Sequence, residues 1–163
     1  MKSDFSKIIA KAKPVKRVKK VKLPTIKKLK KDLERISHDY IRRRDGINGE
    51  LKGYCIDCGD YAEGQQWQCG HWEPSGSSGA LLRYHPHNMH GQAGKCNVGY
   101  AQERVKISYT MRMIQKYGQE RADEIRRLKH RIVKADRYFY ETLIRLYKEG
   151  KESTIVYFLE HTT

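Results

Sequence analysis

The chain has 163 residues, 38% of them hydrophobic and 33% charged, with a formal net charge of +15. That length suits one domain with an extension and falls short of two full domains of ~100–200 residues each. No stretch has the apolar core of a signal peptide or the ~18 consecutive apolar residues of a membrane span, which excludes a membrane partner; with one close cysteine pair, a cytoplasmic location is expected, and the charge points to a polyanion.

The basicity is concentrated at one end. Residues 1–31 carry 12 Lys and one Arg against one Asp, a net +12 of the total +15. Residues 1–24 alternate Lys with Val and are broken by Pro14 and Pro24. They read as a basic flexible arm in which Lys16, Arg17, Lys19 and Lys20 neutralise phosphates, the bland alternative being a solvated tail. Residues 25–150 then make the main domain and 151–163 a C-terminal tail.

Thr25 is a fitting N-cap, and Ile26, Leu29, Leu33, Ile36, Tyr40 and Ile41 recur at helical spacing to about Arg44. Arg42, Arg43 and Arg44 close this helix, where they serve either a phosphate or the helix dipole. Asp45-Gly46 and Asn48-Gly49 end it. Cys55-x-x-Cys58-Gly59 has the spacing at which two thiolates turn back onto one tetrahedral metal, which is half of a zinc knuckle.

Between Gly59 and Leu81 a β-hairpin carrying His71 is expected, with Pro74–Ala80 as a mobile loop. Trp67 reads as core, whereas Trp72 beside His71 is a candidate to stack on a base or sugar. Surface or structural places are expected for His85 and His87. A helix starts near Cys96 and leads on to Ile114, with Gly118 ending the region. Further helices are expected around Gln119–Lys129 and Lys134–Glu149, the latter turning Tyr138, Phe139, Leu143, Leu146 and Tyr147 inward. Ser153–His161 is β-rich in composition and is left open between strand and helix.

The side chains fit for chemistry fall between Tyr54 and Asn97. His71, then Asn88, then Asn97 beside Cys96 at a helix start is the order found in HNH, or ββα-metal, nucleases. The residue types explain the order. An imidazole takes a proton from water near neutral pH. An amide braces the loop that holds it, and a side-chain oxygen at a helix start holds a hard cation against a phosphate.

These residues sit in a wider set of stretches: Tyr40–Asp45 (YIRRRD), Cys55–Gly59 (CIDCG), Trp67–Trp72 (W-x-x-GHW), Leu82–His90 (LRYHPHNMH), Cys96-Asn97 and Tyr117–Ile125 (YGQERADEI). In that order they resemble the NinG/Rap recombination nucleases of lambdoid phages over roughly residues 26–149. The resemblance implies an α+β fold: an HNH/treble-clef core with a short β-hairpin, flanked by several helices and the basic arm. It also implies a Mg²⁺- or Mn²⁺-dependent endonuclease acting on branched DNA such as Holliday junctions and D-loops. His71 is then the general base, Asn88 the loop brace and Asn97 the metal ligand. By their place in the sequence, Arg42, Arg43, Arg83 and Lys95 are candidates to contact phosphates, the bland alternative for Arg83 and Lys95 being solvated side chains. Cys55, Cys58 and Cys96 would share a structural zinc, and a homodimer would suit paired incisions.

The chain departs from the family at one position. Where the family has Gln-Cys-x-x-Cys-Asn, this chain has Gln92-Ala93-Gly94-Lys95-Cys96-Asn97. One expected thiolate is therefore missing, and Cys69 or His90 is the replacement open to it. Gly70 stands where many HNH nucleases carry a metal-ligating Asp or His, as it does in the family, which leaves Asn97 as the one named ligand of the catalytic metal. The competing reading is a zinc-knuckle nucleic-acid-binding protein without catalysis.

Overall fold

The computed structural model describes residues 22–76, 78–98 and 103–162, so Lys16, Arg17, Lys19 and Lys20 of the arm lie outside the described residues. The fold is mixed α+β, with helices around two small antiparallel sheets.

Helix α1 (Ile26–Arg44) begins where the Thr25 side chain accepts a hydrogen bond from the Lys28 amide, 3.3 Å away. Its inward stripe is Leu29, Leu33, Ser37 and Ile41. Ile26, expected inside, is 42% exposed because it lies in the first turn, beyond the packed length of the helix.

The first hairpin, β1 (Lys52–Tyr54) with β2 (Tyr61–Glu63), pairs Tyr54 with Tyr61 and presents the Cys55–Gly59 turn. Gly59 takes φ +77°, which a Cβ would strain, and its amide bonds back to the Cys55 carbonyl at 2.9 Å.

His71 lies on a different hairpin from the one expected within residues 59–81. Strand β3 (Trp67–His71) pairs with β4 (Met89–Ala93), so that His71 faces Met89 and Trp67 faces Ala93. The intervening segment cannot extend the ladder: Pro74 lacks a donor, and Leu81 and Leu82 are drawn into the core on the short helix α2 (Ala80–Arg83). Trp67 fixes the sheet against α1. Its Nε1 donates to the Arg42 carbonyl at 2.9 Å, and its ring lies so close to Gly91 that a Cβ there would come within 2.1 Å of it.

After β4 come α3 (Gly94–Val98) and α4 (Glu103–Tyr117), both within the span expected to be helical, with residues 99–102 outside the described residues. Gly118 at φ +85° turns the chain into α5 (Gln119–Arg127). Helix α6 (Arg137–Lys148) is capped by Asp136, whose side chain accepts from the Phe139 amide at 3.0 Å. It buries Phe139, Tyr140, Leu143, Leu146 and Tyr147, while Tyr138 is 72% exposed. Tyr140 takes the inward place expected of Tyr138, because it lies one turn from Leu143 and two turns from Tyr147, whereas Tyr138 is rotated off that stripe.

The segment left open between strand and helix is α7 (Glu152–His161), with Ile155 and Leu159 wholly buried. The main core joins α1, α6 and α7 to Cys69, Leu81, Tyr84 and Met89. A second core gathers Trp72, Leu82, Tyr109, Met113, Ala122, Ile125 and Leu128, and a small third one Cys55, Ala62, Trp67, Ala93 and Cys96. Burying each large aliphatic side chain contributes about 1.5–3 kcal/mol, so these clusters hold the two hairpins on the helices. Among the described residues no helix is long and apolar enough to cross a membrane.

Candidate functional site

Three thiols from distant positions meet beside the first hairpin. The Cys55, Cys58 and Cys96 sulfurs all lie within 4.8 Å of one another, two from the β1–β2 turn and one from α3. Three thiols at this separation could hold a metal such as zinc. Asp57, between the two knuckle cysteines, has its Oδ1 buried without a partner, and burial raises its carboxyl above the ordinary value while the nearby Cys96 thiol opposes this. Ala93 packs in the same small core as Cys55 and Cys96.

Neither residue expected to replace the missing thiolate reaches this group. Cys69 is packed in the main core, where burial pushes its thiol well up from the ordinary value. His90 is also elsewhere, with its ring nitrogens 3.2 Å from the Tyr109 hydroxyl and 3.0 Å from that of Tyr117. Both side chains are held by the packing of β3 and β4 against the helices, away from the knuckle turn.

His71, at the end of β3, makes one side-chain hydrogen bond among the described residues. Its Nε2 lies 3.1 Å from the carbonyl oxygen of Arg83. A carbonyl only accepts, so Nε2 carries the proton and Nδ1 the lone pair. Burial is the largest cause of a His71 pKa lowered to about 4, and the neighbouring His38 lowers it further, against the pull of the Arg83 carbonyl. The His38 ring meets His71 edge-on, with centroids 5.5 Å apart. His38 is lowered as well, chiefly by burial, with Glu34 opposing and Arg83 and Arg42 assisting.

Asn88 is fully buried and ties both ends of the 72–88 loop. Its Oδ1 accepts from the Glu73 amide at 2.8 Å, and its Nδ2 donates to the carbonyls of Glu73 and Leu82, each at 3.1 Å. The Trp72 amide in turn donates to the Asn88 carbonyl at 2.9 Å. Since Arg83 follows Leu82, this amide anchors the carbonyl that orients His71.

Asn97 sits on α3 with Nδ2 donating to the Gln68 Oε1 at 2.8 Å, and its Oδ1 takes no hydrogen bond from the described residues. A groove of about 400 Å³ runs between α1 and α3, lined by Arg35, His38 and Arg42 from α1, Gln68 and Cys69 from β3, and Asn97.

The basic side chains expected at phosphates differ in freedom. Arg42 and Arg43 share Asp39, at 3.3 and 3.1 Å. Arg83 is paired with Glu34 at 3.2 Å, and Lys95 forms an ion pair with Asp60. Arg35 has no ion pair among the described residues. Trp72 does not offer a stacking face: it is 1% exposed, donates to Thr110 Oγ1 at 3.0 Å, and carries the Arg126 guanidinium 4.4 Å over its ring. His38, Arg35 and Gln68 are the groove residues that sequence reasoning missed. His38 was legible only as one polar residue of α1, three positions before the buried Ile41.

The fold and site define a mixed α+β protein with a three-thiol candidate metal centre and, beside it, a basic groove next to a fixed histidine. The chain belongs to the family described as Bacteriophage Lambda NinG protein, whose model matches residues 5–154. Membership of this phage family suggests a role related to phage recombination. No curated protein and no solved structure matches the chain significantly.

Proposed function

We propose that the protein is a metal-dependent endonuclease that cuts branched recombination intermediates of DNA, with β3, β4 and α3 acting as an HNH-like ββα unit. The observation that carries this reading is the pairing of His71 Nε2 with the Arg83 carbonyl, which leaves Nδ1 without a hydrogen bond from the described residues, in a ring set edge-on against His38 of a basic groove.

His71 acts as the general base. Its depressed pKa keeps it unprotonated at neutral pH, and a phosphate entering the groove raises its basicity by adding negative charge nearby. Asn88 positions the imidazole through the loop it ties, without touching substrate. The groove arginines bind the phosphodiester and stabilise the charge that develops on it. The Asn97 Oδ1, which takes no hydrogen bond from the described residues, would be the protein oxygen for Mg²⁺ or Mn²⁺ on the groove wall, where the ion would supply Lewis-acid support for the leaving oxygen. Zinc on Cys55, Cys58 and Cys96 would join the first hairpin to α3, the helix that carries Asn97.

The test is incubation of the purified protein with an end-labelled four-way junction and Mg²⁺ or Mn²⁺. The parent is expected to cut. His71→Ala should bind the junction with nearly parental affinity and lose cleavage by roughly 10²–10⁴-fold, the usual effect of removing an acid–base group. Binding without cleavage by the parent would instead establish a nucleic-acid-binding protein with no catalysis.

A further inference from the structure

We infer that the solvent face of α1 is a track for double-stranded DNA, on which one duplex arm lies with its phosphate backbone against Lys27, Lys31, Arg35 and Arg42, running from the groove towards the helix N-terminus. The assignment rests on the reading that this protein binds branched DNA, but not on cleavage itself.

Four observations carry it. First, Lys27, Lys31, Arg35, His38 and Arg42 follow one another along α1 at steps of one helical turn, which places them on one face, away from the buried stripe of Leu29, Leu33, Ser37 and Ile41. Second, the acids of α1 are already committed: Asp32 to Lys28 at 3.1 Å, Glu34 to Arg83 at 3.2 Å, and Asp39 to Arg42 and Arg43 at 3.3 and 3.1 Å. Lys27, Lys31 and Arg35 are exposed and have no ion pair among the described residues. Third, the N-terminal part of α1 carries Lys27, Lys28, Lys30 and Lys31, with no acid in its first turn. The helix dipole favours anions at that end, so these lysines weaken the helix they stand on until an anion lies beside them. Fourth, the stripe runs into the groove, whose α1 wall is Arg35, His38 and Arg42.

The chemistry of the stripe also selects the form of DNA. It has no aromatic side chain on which unpaired bases could stack, so it fits the backbone of a duplex rather than a single strand. At about 1.5 Å per residue, Lys27 to Arg42 spans about 22 Å, or about six base pairs of duplex at ~3.4 Å each.

Lys30 supplies the control, since it is exposed and without an ion pair among the described residues, like Lys31, but lies about 100° round the helix from it. Binding of the full chain to a four-way junction and to a plain duplex is measured between low and moderate salt, without a divalent ion. Lys31→Gln should lower the slope of log affinity against log salt by about 0.9 on both DNAs, and the Lys27→Gln, Lys31→Gln double variant by about 1.8, whereas Lys30→Gln should keep the parental slope. Hydroxyl-radical footprints on the junction should show about six protected base pairs of one arm with the parent, and the double variant should lose protection at the end away from the branch. Equal slopes for Lys30→Gln and Lys31→Gln, or a parental footprint in the double variant, overturn the track. A parent that binds neither DNA overturns the track and the nuclease together. A protein that binds duplex through this face yet cuts no junction keeps the track and removes the nuclease, whereas junction cleavage with a parental slope in the double variant does the reverse.

Discussion

Two groups of histidines divide this molecule. His38 lines an open groove with His71 edge-on against it, and each keeps at least one ring nitrogen without a hydrogen bond among the described residues. His85, His87 and His90 are packed behind it, in the stretch where histidines are densest in sequence. His85 is fully buried with Nε2 3.1 Å from Glu160 Oε1 and Nδ1 accepting from the His87 amide. His87 stacks on Tyr117 at 4.7 Å, and His90 is shared between two tyrosine hydroxyls. Place in the packing, rather than the number or spacing of histidines, separates the two groups: His38 lines the groove, whereas His87, which also has an unpartnered Nδ1, has it buried beneath the Tyr117 stack.

The sharpest way to break this division is to exchange the readouts. His90→Ala should cost about 2–4 kcal/mol of unfolding stability, because it opens a cavity and leaves the Tyr117 hydroxyl without its partner. The folded fraction should still cut junction DNA. His71→Ala should show the opposite pattern, with small loss in urea unfolding and large loss of cleavage. A His90→Ala protein as stable as its parent would put His90 outside the structural group.

The packed group also sets a pH dependence. His85, His87 and His90 are all lowered, first by burial, and His87 reaches about 3. The groups facing them are Glu160, Glu152, Asp45, Arg121, Arg44 and Lys116, with Glu160 itself lowered to about 2 by its bond from His85. An unfolded chain takes up protons at these histidines near the ordinary value of 6.5, whereas the folded chain does not until lower pH. Stability is therefore full above 6.5 and falls as the pH drops from there towards the folded values, at up to about 1.4 kcal/mol per pH unit for each histidine. Urea midpoints at pH 7.5 and 5.5 should differ in that direction, and His87→Gln should reduce the difference. Midpoints independent of pH would mean that these rings are not buried neutral in solution.

Much of this was legible in the sequence, for reasons that also mark its limits. The α1 stripe and the Thr25 cap follow from helical period and side-chain chemistry, which act locally. The meeting of Cys55 and Cys58 with Cys96 agreed with the order of residues in a family. What failed or stayed open depended on tertiary contacts. The β-branched and aromatic run of α7 is helical because Ile155 and Leu159 fill the main core, which composition cannot report. Trp72 beside His71 points into the second core rather than to solvent. His38 lies 33 positions before His71 and reaches it only because α1 packs across β3.

The smallest expected effect extends the same division from histidines to arginines. Arg35 lines the groove without an ion pair among the described residues, whereas Arg83 is held by Glu34 at 3.2 Å and by the Ser75 carbonyl at 3.4 Å. A phosphate can recruit Arg35 at no cost in broken contacts, but must draw Arg83 from a partner already in place. Each phosphate neutralised by a cation releases about one counterion, so Arg35→Ala should reduce the slope of log affinity against log salt by about 0.9. Arg83→Ala should change it less, since Arg83 is already partly neutralised. Both variants should keep the fold, because exposed or half-exposed ion pairs contribute only about 0–1 kcal/mol. Junction binding measured between low and moderate salt decides the matter: equal slopes for parent and Arg35→Ala would place DNA away from this groove, and a larger change for Arg83→Ala would show that the Glu34 pair opens when DNA arrives.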